Sequence, residues 1–475
     1  AGGQPRTPYD PTRNPGGSSG GTGAAVAANF AAAGMGTDTC GAIRLPSFPH
    51  ALAGLRATRG LSSRDGIVPL ALTQDMGGPL TKTVTDLALV LDATAGFDPA
   101  DEVTARGRGN IPASYADFLT AGALAGARIG VVGWLVGDAP EDEPVAAVIR
   151  AALDVMEEAG AEVVEVELPG VPDLLQGGSV VPVEFKFQLA DYLAAPGTPV
   201  KSLREILDSG LYHAAVEERY LSSDNARGLD DPDYLQSLAR RGPLREAVTR
   251  FLDDERLDAL AYPTLRRTAA PAGLPQHGNN CALSAVSGLP ALVVPAGYAA
   301  DGMPVGIELL GRAWDEGALI RLAYSYEQLT HHRRPPATTP SLTAAAADAA
   351  PPGAAATTEW TATGAALPAP ADTGISARAR FTWDPATRRL RYAVTVFGAR
   401  GDDVLFTHLH RGAPGEVGPV MLVLSGADAA RPSGTLTLTA AERDAFEAGD
   451  LYFDVHTHAH RSGAARVQIE GAGGE

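Results

Sequence analysis

The sequence predicts an α/β domain on a partly parallel β-sheet, followed by a separate all-β module, and three observations predict it. Strand-like apolar runs alternate with helix-period stretches as far as about residue 330. A Pro-, Ala- and Thr-rich tract at 335–358 then carries almost no large aliphatic or aromatic side chain. Beyond it the apolar period falls to 2, the period of a half-buried strand.

Residues 83–95 read as a helix, with Val84, Leu87, Ala88 and Leu91 on one face. Residues 131–135 fit a buried strand leading into a second helix. Pro144 lies near the first turn of that helix, and Val145, Val148, Ile149, Ala152, Leu153 and Met156 form its apolar stripe. Gly160 supplies the stop and residues 163–166 the next strand, which together make one βαβ-like unit. The stretch from Pro172 to Arg250 is helical and polar. Glu184, Lys186, Asp191 and Tyr192 are scattered through it without the spacing of a site. Residues 257–264 and 288–297 resume the apolar, turn-punctuated pattern. An amphipathic helix from Asp315 to about Gln328 closes a domain expected to span 1–334.

The tract at 335–358 cannot bury enough apolar surface to fold and reads as a linker. In 359–475, alternation at 377–383, 390–397 and 451–455 indicates a sandwich-like β module. Its turns are expected at Asp384-Pro385 and Arg411-Gly412.

Composition narrows the function classes. A net charge of −18 with no basic stripe argues against a nucleic-acid or anionic-membrane partner. There is no run of ~18 apolar residues, so no membrane insertion is expected, and Ala1 does not open a secretory leader. Cys40 and Cys281 stand far apart and suggest neither a disulfide framework nor a Cys-based metal site.

The chemistry-bearing residues lie near the start. Asn14-Pro15-Gly16-Gly17-Ser18-Ser19-Gly20-Gly21 is followed by Gly36-Thr37-Asp38-Thr39-Cys40-Gly41-Ala42-Ile43-Arg44. Taken alone, the first block reads as a flexible turn before a helix near Thr22. No G-K-[ST] follows, so it is not a phosphate loop. In register with the second block, the pair resembles the amidase signature family, which hydrolyses amide bonds with a Ser–cis-Ser–Lys triad. Residues 54–60, 288–297 and 304–312 extend the resemblance.

The resemblance implies a mixed β-sheet core flanked by helices, no cofactor, and a small-molecule amide as substrate or ligand. It makes Ser18 the bridging Ser on a cis peptide and puts Ala42 at the position of the nucleophile. It assigns the oxyanion hole to the backbone amides of Thr39, Cys40, Gly41 and Ala42, and the flanking scaffold to Asp38 and Arg44. Ser19 and Ser47 read as loop hydrogen-bonders, and Cys40 as an inert small side chain under the loop.

Ala42 has no hydroxyl, so no acyl-enzyme forms there. The family's Lys lies well upstream of the bridging Ser, whereas seventeen residues precede Ser18 here and Lys does not occur among them. The reading is therefore an amidase domain without its N-terminal portion and without turnover. An incomplete core of that kind favours a homo-oligomer. The alternative is a non-catalytic ligand-binding protein.

The tail resembles a CHRD domain in Phe381-Thr382-Trp383-Asp384-Pro385, in His408-x-His410-x-Gly412 with Gly418-Pro419-Val420, and in 451–457. That resemblance implies a surface or matrix partner and an extracytoplasmic setting. Residues two apart on a strand share a face, so His408 and His410 are candidates to meet His456 and His458 as an imidazole metal cluster. Asp454 is the nearby carboxylate. Imidazoles capping a solvated sheet edge are the other reading.

Overall fold

The computed structural model describes residues 4–177, 179–339, 358–365, 374–384, 389–399, 403–412, 420–424, 432–457 and 465–469. It divides into two compact units. The larger is built from Arg6–Asp208 and Tyr212–Pro340, and the smaller contains Ser341–Glu475.

The larger unit is organised by one eight-stranded sheet. Its strands are β1 (Ala33–Thr37), β2 (Ala53–Arg56), β3 (Gly77–Thr81), β4 (Arg128–Val132), β5 (Glu162–Val166), β6 (Ala259–Pro263), β7 (Ala291–Tyr298) and β8 (Pro304–Leu310). They run in the order β1-β3-β2-β7-β8-β6-β4-β5. Only β4 pairs in parallel, with β5 and β6; the other pairs are antiparallel. The sheet is therefore mixed.

Strands β2, β3, β6 and β8 are buried along their whole length, as an apolar run in a helix-covered sheet should be. The helix Val84–Thr94 starts where Thr83 caps it, the Thr side chain accepting from the Asp86 amide. Glu143–Glu158 buries Val145, Ile149, Ala152, Leu153 and Met156, the stripe read from the sequence. Together with Glu316–Thr330, these helices close the principal core over Leu55, Ile129, Leu292 and Ile307.

Two boundaries differ from expectation. The strand expected at 131–135 runs Arg128–Val132, and Gly133–Val136 turns into a helical segment. The apolar character of Trp134 and Leu135 serves a different cluster there, with Leu135 packed among Leu244, Val248 and Leu283. An apolar run alone does not separate strand from buried helix.

The smaller unit has two four-stranded sheets. One has the order β14-β11-β10-β9, from β9 (Thr358–Ala365), β10 (Ser376–Asp384), β11 (Arg389–Phe397) and β14 (Ser433–Thr437). The other has the order β13-β12-β15-β16, from β12 (Val404–Arg411), β13 (Val420–Leu424), β15 (Leu451–Thr457) and β16 (Ala465–Ile469). Phe381, Leu390 and Val394 of the first sheet share one apolar cluster with Leu409, Phe453 and Val467 of the second, which makes a sandwich. The tract expected to be a linker lies almost wholly outside the described residues, as does the turn expected at Asp384-Pro385 beyond Asp384.

Candidate functional site

The two Gly-rich blocks meet in the fold. Gly16 donates its N–H to the Asn14 side chain at 2.9 Å and takes φ +70°. A Cβ on Gly16 would stand 2.6 Å from the Leu45 carbonyl oxygen, so only glycine lets this turn lie against the second block. The Gly17–Ser18 peptide is cis. The next residue, Ser19, donates its N–H to the Ala42 carbonyl at 3.2 Å, and its hydroxyl accepts from the Thr37 amide at 3.2 Å. A Cβ on Gly36 would reach within 2.6 Å of that hydroxyl, which explains glycine there. Ser18 is exposed and Ala42 half-buried. Helix α1 (Gly20–Ala27) begins at the last two residues of the first block, and α2 (Arg44–Ser47) at the last residue of the second. Within α2, Ser47 donates to the Ile43 carbonyl at 2.9 Å.

Beneath the loop lies a fully buried ionic network. The Asp38 carboxylate accepts from the Gly41 amide at 2.6 Å, from Arg44 Nε at 3.0 Å and from Arg56 Nη1 at 3.1 Å. Arg44 Nη1 also reaches Glu308 Oε1 at 2.5 Å, and Tyr262 donates to the same carboxylate at 2.9 Å. Burial alone would push Asp38 up. The Arg44 and Arg56 guanidiniums and the Gly41 amide outweigh it and hold the group at about 2. Burial and the Glu308 charge push the Tyr262 phenol well above its ordinary value.

Asp38 and Arg44, the scaffold that the resemblance implies, lie in this network, and Arg56, Glu308 and Tyr262 join them without a local motif. The available signal was a charge inside an otherwise buried strand: Arg56 at the end of β2 and Glu308 within β8, each of which needs a partner there.

Cys40 is not the free, inert side chain expected. It forms a disulfide with Cys281 across 241 residues, with Cα atoms 5.2 Å apart. Cys281 immediately precedes the helix Ala282–Ser287, and its carbonyl accepts from Arg44 Nη2 at 3.3 Å. The bond therefore ties the loop to a segment that the sheet order, not the sequence order, brings close.

Of the four backbone amides assigned to an oxyanion hole, that of Gly41 is taken by Asp38. Among the described residues, the amides of Thr39, Cys40 and Ala42 have no hydrogen-bond acceptor. The Thr39 hydroxyl is fixed on Asp75 at 2.5 Å, and its carbonyl accepts from Gln74 at 3.0 Å.

The polar helical stretch joins this support. Glu184 is buried and accepts from the Thr73 amide and hydroxyl and from the Tyr234 hydroxyl. Arg241 donates to Gln74 Oε1 at 2.8 Å, and burial lowers its pKa to about 10. These residues brace the segment behind the loop.

In the smaller unit His408, His410 and His456 come together with Asp454. His458 lies outside the described residues.

Comparison with known proteins accords with this frame. Residues 1–320 match the Amidase family, and residues 359–469 match the CHRD domain. The A subunit of glutamyl-tRNA(Gln) amidotransferase from Roseiflexus sp. (strain RS-1) is 35% identical over 348 residues, covering 69% of each chain. Its counterpart from Moorella thermoacetica is 37% identical over 343 residues, covering 68% of this chain and 69% of the relative. The native peptide amidase from Stenotrophomonas maltophilia superposes with a TM-score of 0.59 at 35% identity, over 70% of this chain and 69% of that one. With its mixed sheet, its paired Gly-rich blocks and these relatives, the chain belongs to the amidase family.

Proposed function

We propose that the larger unit is an amidase frame that binds a small amide without cleaving it. The carrying observation is Ala42: the residue whose carbonyl receives the Ser19 amide beside the Ser18 peptide ends in a methyl group. Amide hydrolysis by this family logic needs an activated hydroxyl and a base, and a methyl group supplies no attacking oxygen.

What remains is a main-chain device. The amides of Thr39, Cys40 and Ala42 are the donors a ligand carbonyl would accept from, and they do not depend on the lost side chain. The relatives make a peptide amide the first ligand to try.

The test measures hydrolysis and binding on one preparation. A peptide amide and a simple aryl amide are expected to show no turnover above background, consistent with the loss of about 10⁶ in rate that removing a nucleophile brings. Calorimetry with the peptide amide is expected to detect binding. Ala42→Ser alone is expected to stay inactive, and activity to return only when a Lys-bearing upstream segment from an active relative is supplied as well. Turnover by the unaltered chain would overturn the proposal.

A further inference from the structure

We propose that the smaller unit carries a site for one borderline divalent cation, Zn²⁺ or Cu²⁺, held by His408, His410, His456 and Asp454. The register of the sheet builds it. Strands β12 and β15 are the two central strands of their sheet, and His408 stands directly opposite Asp454. Side chains two apart on each strand then share that face, which gathers His408, His410, Asp454 and His456. Leu409, Phe453 and Val455 point to the other face, into the apolar cluster. The four residues thus come from rigid elements rather than a loop.

The distances suit a small ion. The four ligand atoms, one from each side chain, all lie within 4.8 Å of one another. His456 Nε2 is 3.0 Å and His410 Nε2 3.1 Å from Asp454 Oδ2, and His408 Nδ1 is 3.9 Å from Asp454 Oδ1. Around a tetrahedral cation with metal–nitrogen bonds of about 2.1 Å the ligand atoms stand about 3.4 Å apart, so side-chain movements of about an ångström complete the shell. Three imidazoles and one carboxylate are the donor set of Zn²⁺ or Cu²⁺. Ca²⁺ and Mg²⁺ seek oxygen, and Cu⁺ seeks sulfur.

The surroundings hold the donors in place. His408 and His410 are each 9% exposed although they face away from the apolar cluster. The His410 ring stacks on Tyr452 with centroids 4.8 Å apart and planes within 8°, and the Arg466 guanidinium lies 3.4 Å from the centre of that Tyr ring. A stacked, backed imidazole keeps one orientation, which a ligand shell requires. Without an ion, the same residues make a close imidazole–carboxylate cluster, and the experiment separates the two.

The full chain, stripped with a chelator and dialysed, is titrated separately with Zn²⁺, Cu²⁺, Ca²⁺ and Mg²⁺ by calorimetry. One equivalent of Zn²⁺ or Cu²⁺ is expected to bind, with no binding of Ca²⁺ or Mg²⁺. His410→Ala and His456→Ala are each expected to weaken binding by more than the roughly 10–100-fold that losing a partner of a ligand costs. His277→Ala, at an exposed histidine of the larger unit, is expected to leave it unchanged. Because a ligand variant that fails to fold would also lose binding, electron paramagnetic resonance of the unaltered chain with Cu²⁺ supplies a second measurement. Nitrogen couplings from several imidazoles are expected. No binding of either ion, binding that survives the His410→Ala/His456→Ala double variant, or a Cu²⁺ signal without imidazole nitrogens would each overturn the proposal.

Discussion

Asp38 in the larger unit and Asp454 in the smaller one are both shielded carboxylates that burial would push up and their neighbours pull down, yet the neighbours differ in kind. Asp38 faces two guanidiniums, which stay charged at every accessible pH, and one of them is held in turn by Glu308. Asp454 faces imidazoles, which are charged only when protonated. The first cluster is a permanent brace beneath the loop that carries Ala42. The second is the site proposed above for a cation.

The largest effect that would break this contrast comes from removing the brace. Asp38→Ala leaves Arg44 and Arg56 buried without their shared counter-charge, and should cost about 3–5 kcal/mol in the larger unit. Asp454→Asn keeps the shape and leaves imidazoles rather than guanidiniums behind, so its cost should stay near 1–3 kcal/mol. Urea denaturation of each variant, followed by circular dichroism, measures both. Equal losses would show that the two carboxylates do the same work.

The disulfide sharpens the comparison next. Only the Asp38 loop is cross-linked, and the closed segment is long, so reduction should lower the stability of the larger unit by about 2–4 kcal/mol. The smaller unit contains neither cysteine. Its melting transition should therefore not move when a thiol reductant is added during calorimetric scanning.

Why the brace was half legible in the sequence, and the cross-link not at all, follows from topology. Asp38 and Arg44 are six residues apart in one recognisable block. Arg56, Glu308 and Tyr262 converge only because β2, β7, β8 and β6 are neighbours in an order unrelated to the chain. Two cysteines separated by 241 residues carry no local pattern, so nothing short of that sheet order pairs them. The histidine cluster was more accessible, because period 2 already puts His408 and His410 on one face. Asp454 joined them through the β12–β15 register, while the helical support from Glu184 and Arg241 had no motif to betray it.

Titration tests whether the larger unit as a whole shares the pH indifference of its brace. His50 is buried, donates through Nδ1 to the Pro46 carbonyl at 2.7 Å, and has its pKa lowered by burial to about 4. The unfolded chain then binds a proton before the folded one, so this group's contribution is present above pH 6.5 and lost as pH falls toward 4, by about 3 kcal/mol. Glu327 runs the other way. Burial raises it to about 7, so the folded chain takes the proton first and stability is lost as pH rises from 4.5 to 7. Partial exposure trims that contribution to about 2 kcal/mol. The two oppose each other between pH 4.5 and 6.5, and a shallow profile is expected there. Glu327→Gln should steepen the loss on acidification and His50→Asn should reverse it, as read from denaturation midpoints at fixed pH. Unchanged profiles in both variants would remove the opposition.

Ala42→Ser should have the smallest effect on the fold. The loop is held from below by Asp38 and from the side by Cys281, and Ala42 contributes its carbonyl to Ser19 rather than its methyl to the core. One added hydroxyl on a half-buried side chain should therefore shift stability by no more than about 0.5 kcal/mol. Matching denaturation curves for the two chains would mean that the frame tolerates the methyl and the hydroxyl alike. A shift of several times that size would place Ala42 within the brace, and the loop's shape would then depend on the methyl group at 42.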